Sequence, residues 1–240
     1  MEIKISDSRT WALTRAFLVY SSGGEHFLTA NDITDDVIGP GKPVSLRGVY
    51  ALLQRSVDPK RFFSFVDARV LYSGPSFLVW WTPPRRRSIH FADHRDDVHG
   101  TVIDAPHPGL VWMVNSTDPH NPLWMAAFKG RQRPTENTRL YLAPYFNLWD
   151  DGQVCQGSGV IPSFTGDAPT MDAWEESFFN SAFTHPNAKN VVKHPHDVVG
   201  FWREQLQTPT TRFPTTALRP LGTTLREWAF AQINKGDRRQ

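Results

Sequence analysis

The stretch "RLYLAPYFNLWDDGQVCQGSG", residues 139–159, decides how the chain reads. Its first eight residues, Arg139 to Phe146, form an apolar run of strand length. An Asp-Asp-Gly turn follows at 150–152, and then Cys155, the only cysteine among 240 residues. Upstream lie short apolar runs separated by turn residues, and downstream lie stretches with helical spacing. The segment marks the change from sheet to helices and sets a lone thiol at that change.

Working upstream, "RVLYS", "SFLVWWTP", "RSIHF", "GLVWMVN" and "PLWMAAF" are further strand candidates between Arg69 and Phe128. Pro83-Pro84, Gly100, Pro106, Pro108 and Gly130 punctuate them. Short strands joined by turns, with no helix between, predict an antiparallel meander. Nearer the N-terminus, "WALTRAFLVYSS" and "EHFLTA" flank Gly23-Gly24 and read as a strand pair. "PVSLRGVYALLQRSV", residues 43–57, predicts a helix capped by Ser45.

Downstream, "MDAWEESFFNSAF" at 171–183 predicts a helix opened by an Asp172–Glu175 capping box, with Trp174, Phe178 and Ala182 on one face. Asp197 is the expected cap of a second helix, and Thr224 with Glu227 predicts a capping box for a third. The fold class is therefore α+β: an antiparallel β-meander packed by helices, with an N-terminal strand-strand-helix extension. One domain is expected over 1–240, divided into the extension (1–60), the meander and Cys loop (61–160) and the C-terminal helices (161–235).

Composition narrows the function. Sixteen Phe and nine Trp supply a packed core, and nineteen Pro argue for many loops. The formal net charge of +2 favours neither nucleic acid nor a membrane surface as a partner. No apolar run approaches the ~20 residues of a membrane span. "MEIKISDSRTW" lacks the layout of a signal peptide. One cysteine makes no internal disulfide, so a reducing cytoplasm is the expected location. No cofactor is expected, since "GSG" lacks the Lys-Ser/Thr of a phosphate loop. No metal is expected either: His90, His94 and His99 read as a solvated turn, as do His194 and His196. Arg85, Arg86 and Arg87 read as a charged hairpin turn.

Residue chemistry alone leaves Cys155 as either a small core residue or a nucleophile. A nucleophilic thiol has to be reachable and needs donors for a developing oxyanion. Gly152 and Gly157 permit tight turns beside it, and Asn147 offers an amide. Asn147 could equally close an Asx-turn. Asp150 and Asp151 read as solvated turn residues.

Asn147, Gly152, Val154 and Cys155 reproduce the spacing of the active-site signature of ubiquitin-conjugating enzymes. There His-Pro-Asn precedes an aromatic residue, a turn glycine, an aliphatic residue and the catalytic cysteine. Trp149 stands at the aromatic position, while Tyr145-Phe146 replaces His-Pro. Together with "LVWWTPPRRRSIHF", "HPGLVWMV" and "ESFFNSAFTHPN", the segment resembles family D of the prokaryotic ubiquitin-conjugating-enzyme-like proteins, also called PRTRC-system protein B. The resemblance covers roughly the middle two-thirds of the chain.

The resemblance implies a ubiquitin-conjugating (UBC)-like fold. It also implies a transferase that carries a ubiquitin-like protein as a thioester on Cys155, with Asn147 orienting the loop or holding the oxyanion. A ThiF-type activating enzyme would supply the modifier, and a JAB-type metallopeptidase and a ParB-related protein would be further partners in a plasmid-associated system. The loop after the helix that follows the cysteine, "THPNAKN" at 184–190, offers His185 where such enzymes often have an acid. His185 is either the proton acceptor for an incoming amine or a helix C-cap. The literal His-Pro-Asn at 185–187 has no cysteine after it and is a decoy. Two other readings stay open: a catalytically silent UBC-like binding module, and a cysteine hydrolase pairing Cys155 with His185.

Overall fold

The structure, a computed structural model, describes residues 2–4, 10–23, 25–45, 49, 67–74, 76–93, 98–118, 121–157, 162–164 and 168–237. Its contacts divide the chain into two units, Met1–Phe65 and Val66–Gln240.

The first unit holds the strand pair β1 (Glu2–Lys4) and β2 (Thr10–Ala12). It also holds an antiparallel sheet of β3 (Arg15–Ser22), β4 (Glu25–Thr34) and β5 (Val37–Val44). The predicted strand pair is β3–β4, and β5 adds to it. Asp35 and Asp36 both have positive φ, at 50° and 62°, which closes a two-residue hairpin of the kind that matches strand twist. Pro43 and Val44, at the start of the predicted helix, belong to β5. The Val49 N–H donates to the Ser45 carbonyl at 3.0 Å. The rest of that helix lies outside the described residues.

The second unit is built on a six-stranded sheet. Its strands are β6 (Val70–Ser73), β7 (Phe77–Thr82), β10 (Gly109–Asn115), β11 (Leu123–Phe128), β12 (Arg139–Tyr141) and β14 (Pro220–Thr224). All its pairings are antiparallel, in the order β14-β12-β11-β10-β7-β6. The expected meander is broken between β7 and β10. There the chain leaves to form β8 (Arg86–Asp93) and β9 (Val98–Pro106), and β8 lies between β9 and β13 (Ala182–Phe183) in a second sheet. Pro83-Pro84 and Pro106-His107-Pro108 stand at the two exits. Proline carries no N–H for the ladder, so each cluster ends pairing and redirects the chain.

β10 and β11 are buried along their whole length, because the sheet is covered on both faces. On one face Trp80, Trp112 and Met125 pack with helix α1 (Ala168–Phe179) and helix α2 (Asp197–Gln207), through Trp174, Phe178 and Trp202. On the other, Val111, Met113 and Trp124 pack with helix α3 (Leu225–Asp237), through Leu225 and Trp228. The α3 capping box forms as expected: the Thr224 N–H donates to Glu227 Oε2 at 2.9 Å, and the Glu227 N–H donates to Thr224 Oγ1 at 3.4 Å.

The other two caps differ from expectation. Helix α1 begins at Ala168, with Pro169 in its first turn, where a missing N–H costs nothing. Asp172 is therefore inside the helix and pairs with Arg69 at 2.6 Å. At α2 the Asp197 carboxylate turns back to the N–H groups of Asn190 and Val192, and His196 makes no side-chain cap. Ala182, expected on the face of Trp174 and Phe178, lies beyond the helix in β13 and is exposed.

Glu175 is not a cap residue either; it is buried, at 1 % exposure. Arg85 and Arg87 both donate to its Oε2, and the Trp80 indole donates to Oε1 at 3.0 Å. Burial pushes the carboxyl up, while Arg85, the Trp80 N–H and Arg69 pull it back. The expected charged turn at 85–87 thus sends two of its three arginines inward, to a partner on α1. Nearby, His107 is buried between Tyr145, Phe179 and Trp202. Its Nδ1 lies 2.8 Å from Tyr145 Oη and its Nε2 lies 3.2 Å from the Arg87 carbonyl. A carbonyl only accepts, so Nε2 carries the proton and Nδ1 accepts from the phenol. Burial first, then Arg85 and Arg86, lower the imidazole pKa to about 3.

Replacing Glu175 with Ala leaves two inward guanidiniums without their anion, and the expected loss is about 3–5 kcal/mol, read by urea denaturation. His107 makes stability depend on pH. Below about 6.5 the unfolded imidazole takes a proton that the folded one refuses until about 3, so its contribution is complete above 6.5 and lost on acidification. Between pH 6.5 and 4.5 the native chain should lose about 2–3 kcal/mol more than the His107→Gln variant. Equal slopes for the two proteins would show a His107 that is protonated as readily folded as unfolded.

Candidate active site at the Cys155 hairpin

The predicted strand 139–146 ends early, at Tyr141. Pro144 cannot continue a ladder, and the chain runs on through Tyr145 and Phe146 as buried irregular backbone. It then turns back on itself. Leu148 bridges Val154, the Trp149 N–H donates to the Gln153 carbonyl at 2.9 Å, and the Gly152 N–H donates to the Trp149 carbonyl at 3.0 Å. Asp151 is a turn residue, its Oδ1 accepting from the Gln153 N–H at 2.9 Å. Trp149 and Asp150 are exposed on the tip.

This small hairpin is fastened to β11. The Met125 N–H donates to the Gly152 carbonyl, and the Val154 N–H donates to the Leu123 carbonyl, both at 2.8 Å. Gly152 has φ 85°, and a Cβ there would lie 2.3 Å from the Met125 carbonyl oxygen, so only glycine fits. The Gln153 side chain adds a tether, donating to Asp118 Oδ2 at 3.1 Å and to the Asn121 carbonyl at 2.9 Å.

Cys155 follows the hairpin as a free, half-buried thiol. Its N–H donates to the Asn147 carbonyl at 2.8 Å. Asn147 itself is bound to the segment after α1. Its N–H donates to the His185 carbonyl at 3.2 Å, its Nδ2 donates to the Ala182 carbonyl at 3.0 Å, and its Oδ1 accepts from the Thr184 N–H at 3.4 Å. Its φ of 60° is left-handed, which asparagine tolerates better than most side chains. All three sequence-derived residues, Cys155, Asn147 and His185, thus meet in one place. Asn147 is the residue that joins the other two.

His185 is half-buried, and its Nδ1 lies 3.0 Å from Thr184 Oγ1. It is not a helix C-cap, because β13 separates it from α1, whose end is closed by the Ser181 hydroxyl donating to the Phe178 carbonyl at 2.6 Å. Among the described residues no hydrogen bond joins Cys155 Sγ to an imidazole. The paired thiol and imidazole that a cysteine hydrolase needs is therefore not formed here.

The positions that depart from the signature are core. Tyr145 and Phe146 are 1 % and 0 % exposed. Tyr145 bonds His107, and Phe146 packs edge-on against Phe91 at 5.2 Å. Sequence reasoning missed His107 and assigned Glu175 to a cap instead of the core. Glu175 lies four residues after Met171 and three before Phe178, a spacing that sets it on the apolar face of α1; that spacing was the available signal. No group of three or more His, Cys, Asp or Glu among the described residues could hold a metal ion. His90 bonds Thr101 Oγ1 at 2.9 Å and His94 lies outside the described residues. No described helix is long and apolar enough to cross a membrane.

No curated protein and no solved structure matches the chain. The model of one protein family does, over residues 50–221, from the segment before β6 to the start of β14. That span contains the hairpin, Asn147, Cys155 and the 184–190 loop, and on it the chain belongs to prokaryotic E2 family D, an E2-like family whose members are expected to share the UBC-like fold.

Proposed function

We propose that the chain carries a ubiquitin-like modifier as a thioester on Cys155 and passes it to an amine. The observation that supports this most is the fastening of Cys155 to Asn147, and of Asn147 to the loop bearing His185, in a chain of an E2-like family. Cys155 Sγ, as thiolate, attacks the modifier's thioester on a ThiF-type activating enzyme, and the donor thiolate leaves. An amine then attacks the new thioester carbonyl, Cys155 leaves, and the amine's proton has to be accepted. In the tautomer that donates Nδ1–H to Thr184 Oγ1, His185 offers Nε2 for that proton. Asn147 is the positioning residue, since its side chain is engaged by the 182–184 backbone.

A second reading is favoured by the burial of Tyr145-Phe146 at the His-Pro positions and by the lack of a carboxylate in 184–190. In it the domain binds the modifier or plasmid-maintenance proteins without catalysis.

Incubation with the modifier, its activating enzyme and ATP should give an adduct that reductant removes and that Cys155→Ala never forms. Binding of the modifier without any adduct, equal in native chain and Cys155→Ala, would establish the silent module instead. His185→Ala should form the thioester at the native rate yet discharge it to free lysine roughly a hundredfold more slowly. Unchanged discharge would remove His185 from the chemistry.

A further inference from the structure

The second unit contains a cavity of about 470 Å³ that the Cys155 chemistry does not use. The hairpin that presents Cys155 is fastened at Leu123–Met125, the beginning of β11, whereas the cavity takes Phe128 and the residues just after it, at the strand's other end. Four arginines line it: Arg85 from the β7–β8 turn, Arg86 at the start of β8, Arg131 after β11, and Arg212 from the segment before the 3₁₀ turn Thr215–Ala217. The chain as a whole carries a formal charge of only +2, so this concentration is local.

The four differ in what they already hold. Arg85 spends its guanidinium on Glu175. Arg86 pairs with Asp104 at 2.6 Å and donates to the Thr211 carbonyl at 2.6 Å, which fixes the segment carrying Arg212. Arg131 and Arg212 are exposed and make no side-chain hydrogen bond or ion pair among the described residues. No Asp or Glu is among the described residues lining the cavity. Two uncommitted guanidiniums lining one concavity, beside two whose charge Glu175 and Asp104 offset, attract an anion, and more so against low-dielectric walls.

The walls are apolar. Pro84, Pro106 and Pro108 rim the cavity, and Phe213, held by Phe201 at 5.6 Å, offers a half-buried ring. His107 lies at its floor with both ring nitrogens engaged, so it adds shape and no charge. The volume falls in the range of small-molecule sites. A planar ring seated on Phe213 and the prolines, with a phosphate held by Arg131 and Arg212, matches the apolar walls and the two uncommitted cations of the lining. Guanidiniums pair with phosphate through two parallel hydrogen bonds, which suits two arginines free to turn toward it.

We propose that this cleft is a binding site for a phosphate-bearing small molecule of nucleotide size, separate from the Cys155 site. The test is calorimetric titration of the full chain at low salt with ADP, pyrophosphate and adenosine. ADP should bind saturably, pyrophosphate more weakly and adenosine weakest. The double variant Arg131→Gln/Arg212→Gln should lose at least tenfold in ADP affinity. Arg15→Gln/Arg226→Gln, which removes the same charge elsewhere, should bind ADP as the native chain does. The proposal is overturned if neither ADP nor pyrophosphate binds, if both double variants lose affinity equally, or if an acidic peptide binds where ADP does not. Melting temperatures of the variants confirm that exposed arginines were changed without loss of the fold.

Discussion

The outer edge of β11 has to be paired, and the site exists because of how that pairing is divided. β10 occupies the inner edge along its length. On the outer edge, β12 pairs only with Ala127 and Phe128. The Leu123 C=O and the Met125 N–H would otherwise be buried without partners, a cost comparable to a lost hydrogen bond for each. The hairpin 148–154 supplies those partners, and Cys155 is the residue at which the chain leaves the sheet. The thiol's place is therefore set by backbone hydrogen bonds to a fully buried strand, not by loop packing. A site on such a support keeps its geometry better than one on a free loop.

Covering both faces of the sheet makes that support rigid and raises a problem of charge. The helix that shields Trp80 and Trp112 brings Glu175 into the interior with it. Arg85 from the β7–β8 turn and Arg87 from β8 answer that carboxylate, and Arg69 binds Asp67 and Asp172 at the margin. Ion pairs of this depth rarely add much over an apolar core, but breaking one is costly. The network ties α1 to the turn from which the second sheet departs, so the β8–β9 excursion is held at its root.

Much of this was legible in the sequence, and what was hidden was hidden for physical reasons. The runs 109–115 and 123–128 read as strands because both of their faces are buried and nothing polar interrupts them. The Thr224–Glu227 box was legible because capping is local. The Asp172–Glu175 pair has the same spacing and failed as a cap, since the helix starts a turn earlier and the two carboxylates answer arginines about ninety to a hundred residues away in sequence. β9 is hard to read in the sequence because "VHGTVIDAP" exposes His99 and Asp104, half-buries a glycine and exposes the apolar Ile103, which blurs the alternation. At the site, the spacing of Asn147 and Cys155 was readable. That Asn147 reaches across to Ala182 and Thr184 is a tertiary fact that no local pattern contains.

Two constraints meet at Asn147, and they explain why the signature keeps its asparagine while losing the two residues before it. The backbone there is left-handed, which excludes most side chains at a cost of about 1–2 kcal/mol. Glycine would satisfy that constraint alone. The side chain also has to donate to one carbonyl and accept from one N–H on the 182–184 segment, and an amide does so from two separate atoms where a hydroxyl has only one. Positions 145 and 146 face the core, where His107, Phe91, Phe178 and Trp202 surround them. There the demand is for volume and for one hydroxyl directed at His107 Nδ1, which Tyr-Phe meets. The departure from His-Pro thus alters the floor beneath the loop, while the hydrogen bonds that hold Cys155 against Asn147 are backbone and amide bonds that do not depend on it.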